Sequence, residues 1–99
     1  MCGFVGFSNA GGIDNASGII KSMADTIIHR GPDDEGYYID DDIALGFRRL
    51  SIIDLAGGAQ PMVSDDGDTV LVFNGEIYNY RDIRADLIAA GHVFRTDSD

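Results

Sequence analysis

Apolar and polar positions along this chain fall into short blocks whose period changes from one block to the next. Phe4, Val5, Gly6 and Phe7 make a brief apolar run that predicts a buried strand near the N-terminus. Asn9 to Gly12 is a glycine-rich turn. Ala16, Ile19, Ile20, Met23, Ile27 and Ile28 then recur at helical spacing on one face, with Asp14 or Asn15 placed to cap the helix. Gly31-Pro32 ends it. Tyr37 to Ile39 and Ile43 to Leu50 read as two strands of a hairpin that turns at Asp40-Asp41-Asp42. Thr69 to Phe73 is a further strand, preceded by the turn signal Asp66-Gly67. Asn79 can cap a second helix, with Tyr80, Ile83, Leu87 and Ala90 inward and Gly91 at its end. Val93 to Arg95 is expected to open another strand.

The order strand, helix, strands, helix, strand predicts an α+β layered fold. With 99 residues there is room for one small domain, and an apolar fraction of 44% is enough to build a core rather than a disordered chain. No apolar run is long enough to span a membrane, and no charged segment followed by an apolar one marks a signal peptide. A single cysteine allows no internal disulfide, which fits a reducing, cytoplasmic location. The net charge of −10 argues against nucleic acid and anionic membrane as partners. The clusters Asp33-Asp34-Glu35, Asp40-Asp41-Asp42 and Asp65-Asp66-Gly67-Asp68 are read as solvated turns. Their spacing matches no oxygen-ligand loop, and no metal site is expected. The chain ends just as the strand from Val93 begins, so 1–99 reads as a fragment of a longer protein.

The one cysteine is Cys2, followed by Gly3. Removal of Met1 would give this residue both a thiol and a free α-amine. The thiol is a nucleophile, and an amine with an ordinary pKa of about 7.7–8.0 can act as its base. A cysteine near a terminus is more often a small buried hydrophobe, so position alone does not carry catalysis.

Further segments stand out: His29-Arg30-Gly31-Pro32-Asp33, Arg48-Arg49-Leu50-Ser51-Ile52-Ile53-Asp54, Gln60-Pro61-Met62, and Val72-Phe73-Asn74-Gly75-Glu76-Ile77-Tyr78-Asn79. Each has an ordinary explanation. Arg49 could pair with any of many acids, Asn74-Gly75 could simply turn the chain, and Glu76 could favour a helix dipole. His29 and His92 read as helix-end or loop residues, and Asp99 as a solvated one.

Taken in order and spacing, Cys2, Arg30-Gly31-Pro32-Asp33, Arg49-Leu50-Ser51-Ile52, Gln60-Pro61 and Asn74-Gly75-Glu76-Ile77-Tyr78-Asn79 resemble the glutaminase domain of asparagine synthetases, within the class II glutamine amidotransferases. The resemblance runs the length of the chain. It implies a four-layer αββα sandwich of the N-terminal-nucleophile type, of which this chain would form the N-terminal half. It implies that Cys2 attacks the side-chain amide of L-glutamine and that a γ-glutamyl thioester forms, with release of ammonia. Asn74 and the Gly75 N–H would then donate to the oxyanion. Arg49 would grip the glutamine α-carboxylate and Asp99 its α-ammonium. Leu50, Ser51, Ile52, Ile53 and Glu76 would line the same pocket.

The resemblance also implies a C-terminal synthetase domain that uses ATP and Mg, with no cofactor in this part. The acceptor is expected to be aspartate, with a surface-polysaccharide precursor as the alternative, and a homodimer is one arrangement of the parent. Two other readings compete. A different N-terminal-cysteine hydrolase would not need the Arg49 and Asp99 charge pair. A non-catalytic fragment would be indifferent to loss of Cys2.

Overall fold

In the computed structural model, which describes residues 2–50 and 59–96, three strands form an antiparallel sheet. They are β1 (Gly3–Ser8), β2 (Asp34–Ile39) and β3 (Ile43–Arg49), in the order β1-β3-β2. The register sets Gly3 opposite Arg48 and Val5 opposite Gly46 on one side of β3. On the other side Glu35 is opposite Arg48 and Tyr37 opposite Gly46. The hairpin turn lies at the expected acidic triplet. The Asp40 carboxylate accepts the N–H groups of Asp42 and Ile43, both at 2.8 Å, and these donors hold it below the usual carboxylate range.

Helix α1 (Ala16–Asp25) lies on one face of this sheet. Asn15 is its cap. It adopts a left-handed φ of 59°, which asparagine tolerates better than most residues, and its side-chain oxygen accepts the Gly18 N–H. Ile20 packs fully buried against Ala44 of β3, with Val5, Phe7, Met23 and Tyr37 around the pair, and Ala24 of the same helix is also buried. A side chain at Gly46 would crowd Val5, Tyr37 and Ile20 at 3.1–3.3 Å, so glycine there lets the helix approach. Helical periodicity continues to Ile27 and Ile28, but the α-helix stops at Asp25. Thr26 turns its hydroxyl onto the Met23 carbonyl at 2.6 Å, and the chain tightens into a 3₁₀ turn over Ile28–Arg30.

Two short strands, β4 (Met62–Val63) and β5 (Val70–Leu71), pair as a separate ribbon. β4 has no counterpart among the sequence expectations. The strand expected over Thr69 to Phe73 is shorter because the Phe73 backbone is taken by a side chain, that of Gln60.

Helix α2 (Tyr80–Ala89) follows Asn79, which occupies the cap position without a side-chain bond. Gly91, at φ 97°, ends the helix as expected. Its N–H reaches Ile88, and the His92 N–H reaches Leu87. The inward face expected for Ile83 and Leu87 is not covered: α2 buries none of its residues, since no other described element packs on that stripe. Val93 to Arg95 is not a strand either. No described strand pairs with it, and this segment is held on α2 by Arg84, which stacks on Phe94 at 4.7 Å and donates to the Thr96 carbonyl at 2.7 Å. The described structure is α+β, and none of its helices is long and apolar enough to cross a membrane.

Candidate active site

Cys2 immediately precedes β1, so the register of that strand fixes where the thiol lies. Sγ accepts the Leu50 N–H at 3.3 Å and lies 3.8 Å from the Leu50 carbonyl oxygen. The backbone oxygen of Cys2 receives two donors, Asn74 Nδ2 at 2.9 Å and Arg30 Nε at 3.2 Å. Residues from four separate stretches of sequence therefore meet at residue 2.

The Arg30-Gly31-Pro32-Asp33 segment reaches this point because it lies against the end of β3. A β-carbon at Gly31 would collide with backbone atoms of Arg48 and Arg49. Pro32 bridges Arg49 in the parallel sense, and the Asp33 N–H donates to the Arg49 carbonyl at 3.0 Å.

Side chains alternate across a strand, which separates the two arginines. Arg48 is on the α1 face, where Nη2 meets Asp25 at 2.6 Å and Glu35 at 3.0 Å. Lys21 joins the same two carboxylates at 2.9 and 3.0 Å. The Lys21 ammonium is the main cause holding both acids below their usual range. The Tyr37 hydroxyl adds to the effect on Glu35, and the acids in turn raise Lys21. Nε of Arg48 is buried with no hydrogen-bond partner among the described residues. Arg49 is equally buried, at 7% exposure, and alternation puts it on the opposite face. That is the face on which Gly36 meets the backbone of Gln60, where a β-carbon would collide with the Gln60 carbonyl.

Gln60, joined to Pro61 by a cis peptide bond, turns its side chain to Phe73. Nε2 donates to the Phe73 carbonyl at 2.9 Å, and Oε1 accepts the Phe73 N–H at 2.6 Å. Asn74 and Gly75 come next in the chain. A β-carbon at Gly75 would press on the Phe73 ring at 2.9 Å.

Of the residues singled out from sequence, the structure brings Cys2, Leu50 and Asn74 into direct contact. Glu76 is exposed two positions beyond Asn74. Ser51, Ile52, Ile53 and Asp99 lie outside the described residues. Arg30 was part of a motif but had no expected contact. The Arg-Gly-Pro order was its only signal, and its bond to Cys2 depends on how that turn folds back. His92 serves the end of α2 through its backbone. An open cleft of about 700 Å³ lies elsewhere, between the β4–β5 ribbon and the segment after α2. Met62, Leu71, Val93 and Phe94 line it, while Cys2 and Asn74 do not. Among the described residues, no group of three potential metal ligands comes together.

Comparison with known proteins covers the chain from end to end. The glutamine-hydrolysing asparagine synthetases 1 and 2 of Bacillus subtilis (strain 168) are 48% and 47% identical over 102 residues. A probable glutamine-hydrolysing asparagine synthetase of Dictyostelium discoideum is 42% identical over 103 residues. Each alignment takes in 100% of this chain but only 16%, 13% and 18% of the respective relative, so the chain spans about a sixth of the length of the curated proteins it matches. The model of the glutamine amidotransferase domain matches residues 1–99, and the chain belongs to that family.

Proposed function

We propose that this chain is the N-terminal part of a glutaminase domain, a half of a four-layer αββα sandwich, in a longer amidotransferase. Cys2, freed by removal of Met1, attacks the side-chain amide carbon of L-glutamine, and its α-amine takes the thiol proton and passes one to departing ammonia. Water then hydrolyses the γ-glutamyl thioester to glutamate. The Asn74 amide and the Gly75 N–H stabilise the oxyanion. Nδ2 carries two hydrogens, so one can hold the Cys2 carbonyl while the other serves the substrate. Arg49 grips the α-carboxylate and Asp99 the α-ammonium, and Leu50 to Ile53 and Glu76 line the pocket.

The names of the relatives support aspartate as the acceptor of the ammonia, in a C-terminal synthetase domain that would bring its own ATP and Mg. A homodimer of the parent is compatible with this reading. The observation that most supports it is the meeting of Asn74 Nδ2 with Cys2, 72 residues apart in sequence, at 2.9 Å. The test is Cys2→Ala in the full-length protein. Glutamine-dependent synthesis should vanish while ammonia-dependent synthesis persists, and equal loss of both would overturn the reading.

A further inference from the structure

We infer that Gln60 is the positioning residue for the oxyanion-stabilising turn: its carboxamide fixes the Phe73 backbone and thereby sets where Asn74 and Gly75 stand relative to Cys2. The inference rests on the oxyanion role proposed for Asn74 and Gly75 and deepens it.

The argument begins with what a carboxamide can do. One side carries a carbonyl oxygen and the other an NH₂, the same pair of groups that a strand offers its neighbour. Gln60 uses both on a single residue, at 2.6 and 2.9 Å, so it replaces the strand that Phe73 would otherwise need. Two bonds to one residue fix its orientation as well as its position. The next residue is Asn74, whose Nδ2 reaches the Cys2 carbonyl at 2.9 Å. The clamp is anchored at its far end too. The Gln60 backbone lies so close to Gly36 of β2 that no β-carbon fits between them. Gly36 pairs with Phe47 of β3, and Phe47 pairs with Phe4 of β1, two residues after Cys2. The contacts thus close a ring from Cys2 through the sheet, Gly36, Gln60, Phe73 and Asn74 back to Cys2. Within this ring two links are side-chain carboxamides bonded to backbone, Gln60 to Phe73 and Asn74 to Cys2, and only Gln60 uses both its donor and its acceptor on one residue.

A residue acting this way affects the transition state more than the ground state, because the donor it aims is used where charge develops. It should also act only through Asn74 and Gly75. The experiment is a double-mutant cycle in the full-length protein, read as glutamate release from glutamine, with Gln60→Leu, Asn74→Ala and the double variant. The expected result is a kcat for Gln60→Leu lowered by about 10- to 100-fold, a KM within about twofold, and less than about twofold further loss when Asn74→Ala is already present. An equal factor in both backgrounds would make Gln60 a general structural residue and overturn the inference. So would an unchanged kcat, or a change confined to KM. An Asn74→Ala variant with unchanged kcat would overturn the oxyanion reading and this inference together. A large Asn74→Ala effect beside a silent Gln60→Leu would overturn this inference alone. Should Gln60→Leu fail to give a folded circular dichroism spectrum, Gln60→Glu takes its place. It keeps the shape and the acceptor for the Phe73 N–H but sets a carboxylate oxygen against the Phe73 carbonyl in place of the donor, so the same pattern is expected.

Discussion

Arg48 of β3 and Asp25 at the end of α1 meet at 2.6 Å, and this contact sorts two adjacent arginines into different jobs. Arg48 ties the helix to the sheet, while Arg49 belongs to the face where Gln60 passes over Gly36. The tie is built asymmetrically. Arg48 is nearly enclosed, whereas its carboxylate partners are about 40% exposed, so the buried charge rests on partners that water still screens.

Replacing Arg48 with alanine should therefore destabilise the fold by about 1–3 kcal/mol, through lost packing and through carboxylates left without their buried partner. Arg48→Met should cost clearly less. It keeps the volume and removes the unpartnered Nε, and an apolar residue can replace a buried charge without penalty when the shape is preserved. Urea unfolding midpoints of the two variants decide the matter, and equal losses would show that charge outweighs shape here.

Acid should loosen the same tie. Asp25 and Glu35 are held below their ordinary range in the folded state, chiefly by Lys21. In the unfolded chain they titrate near about 3.9 and 4.3. The unfolded state then binds protons more readily, so their contribution is complete above those values and fades as pH falls through the lower folded ones. Stability should decline below about pH 5, and Asp25→Asn should show a shallower decline. An identical slope in the wild type and the variant, measured as urea midpoint against pH, would place the sensitivity elsewhere. Added salt should weaken the effect, since both acids are half exposed.

Gly36 tests the contact beneath the site. Gly36→Ala forces the Gln60 carbonyl and β2 apart, and overpacking against backbone costs about 1–3 kcal/mol. Because the displaced residue is Gln60, glutamine hydrolysis should fall more than stability alone explains, with kcat reduced at temperatures where the variant remains folded. Thermal unfolding and steady-state kinetics on the same preparation separate the two effects.

Much of the sheet and the first helix was legible because burial there is simple and periodic. The acidic hairpin turn and the Ile20 face of α1 each follow one rule. The apolar run before Ser8 was legible as a strand but is not the buried one expected, since Phe4 is 52% exposed and Val5 and Phe7 are only partly buried. The motifs around Cys2, Leu50 and Asn74 were legible, and these three residues do meet, but how they are joined was not. Gln60 ends a strand by imitating a neighbouring backbone, and no periodicity announces a side chain used in that way. β4 is two residues long, too short to show an alternation. The stripe on α2 and the Val93 segment were read correctly as apolar. Their structure depends on partners, however, and none of the other described elements packs on the Ile83–Leu87 stripe. Arg30 reaches Cys2 only after the 3₁₀ turn and Gly31 have redirected the chain, a three-dimensional event that one motif cannot spell out.

The bond between Asn74 and the Cys2 carbonyl also sets a timetable. Cys2 is synthesised 72 residues before its partner. At about 5–20 residues per second, roughly 4–14 s separate the two on the ribosome. Residue 2 therefore emerges from the ribosome that much earlier than the residue that later clasps its carbonyl. Under the proposed mechanism, which needs Met1 removed, a processing enzyme would have a window of seconds before Asn74 bonds to residue 2.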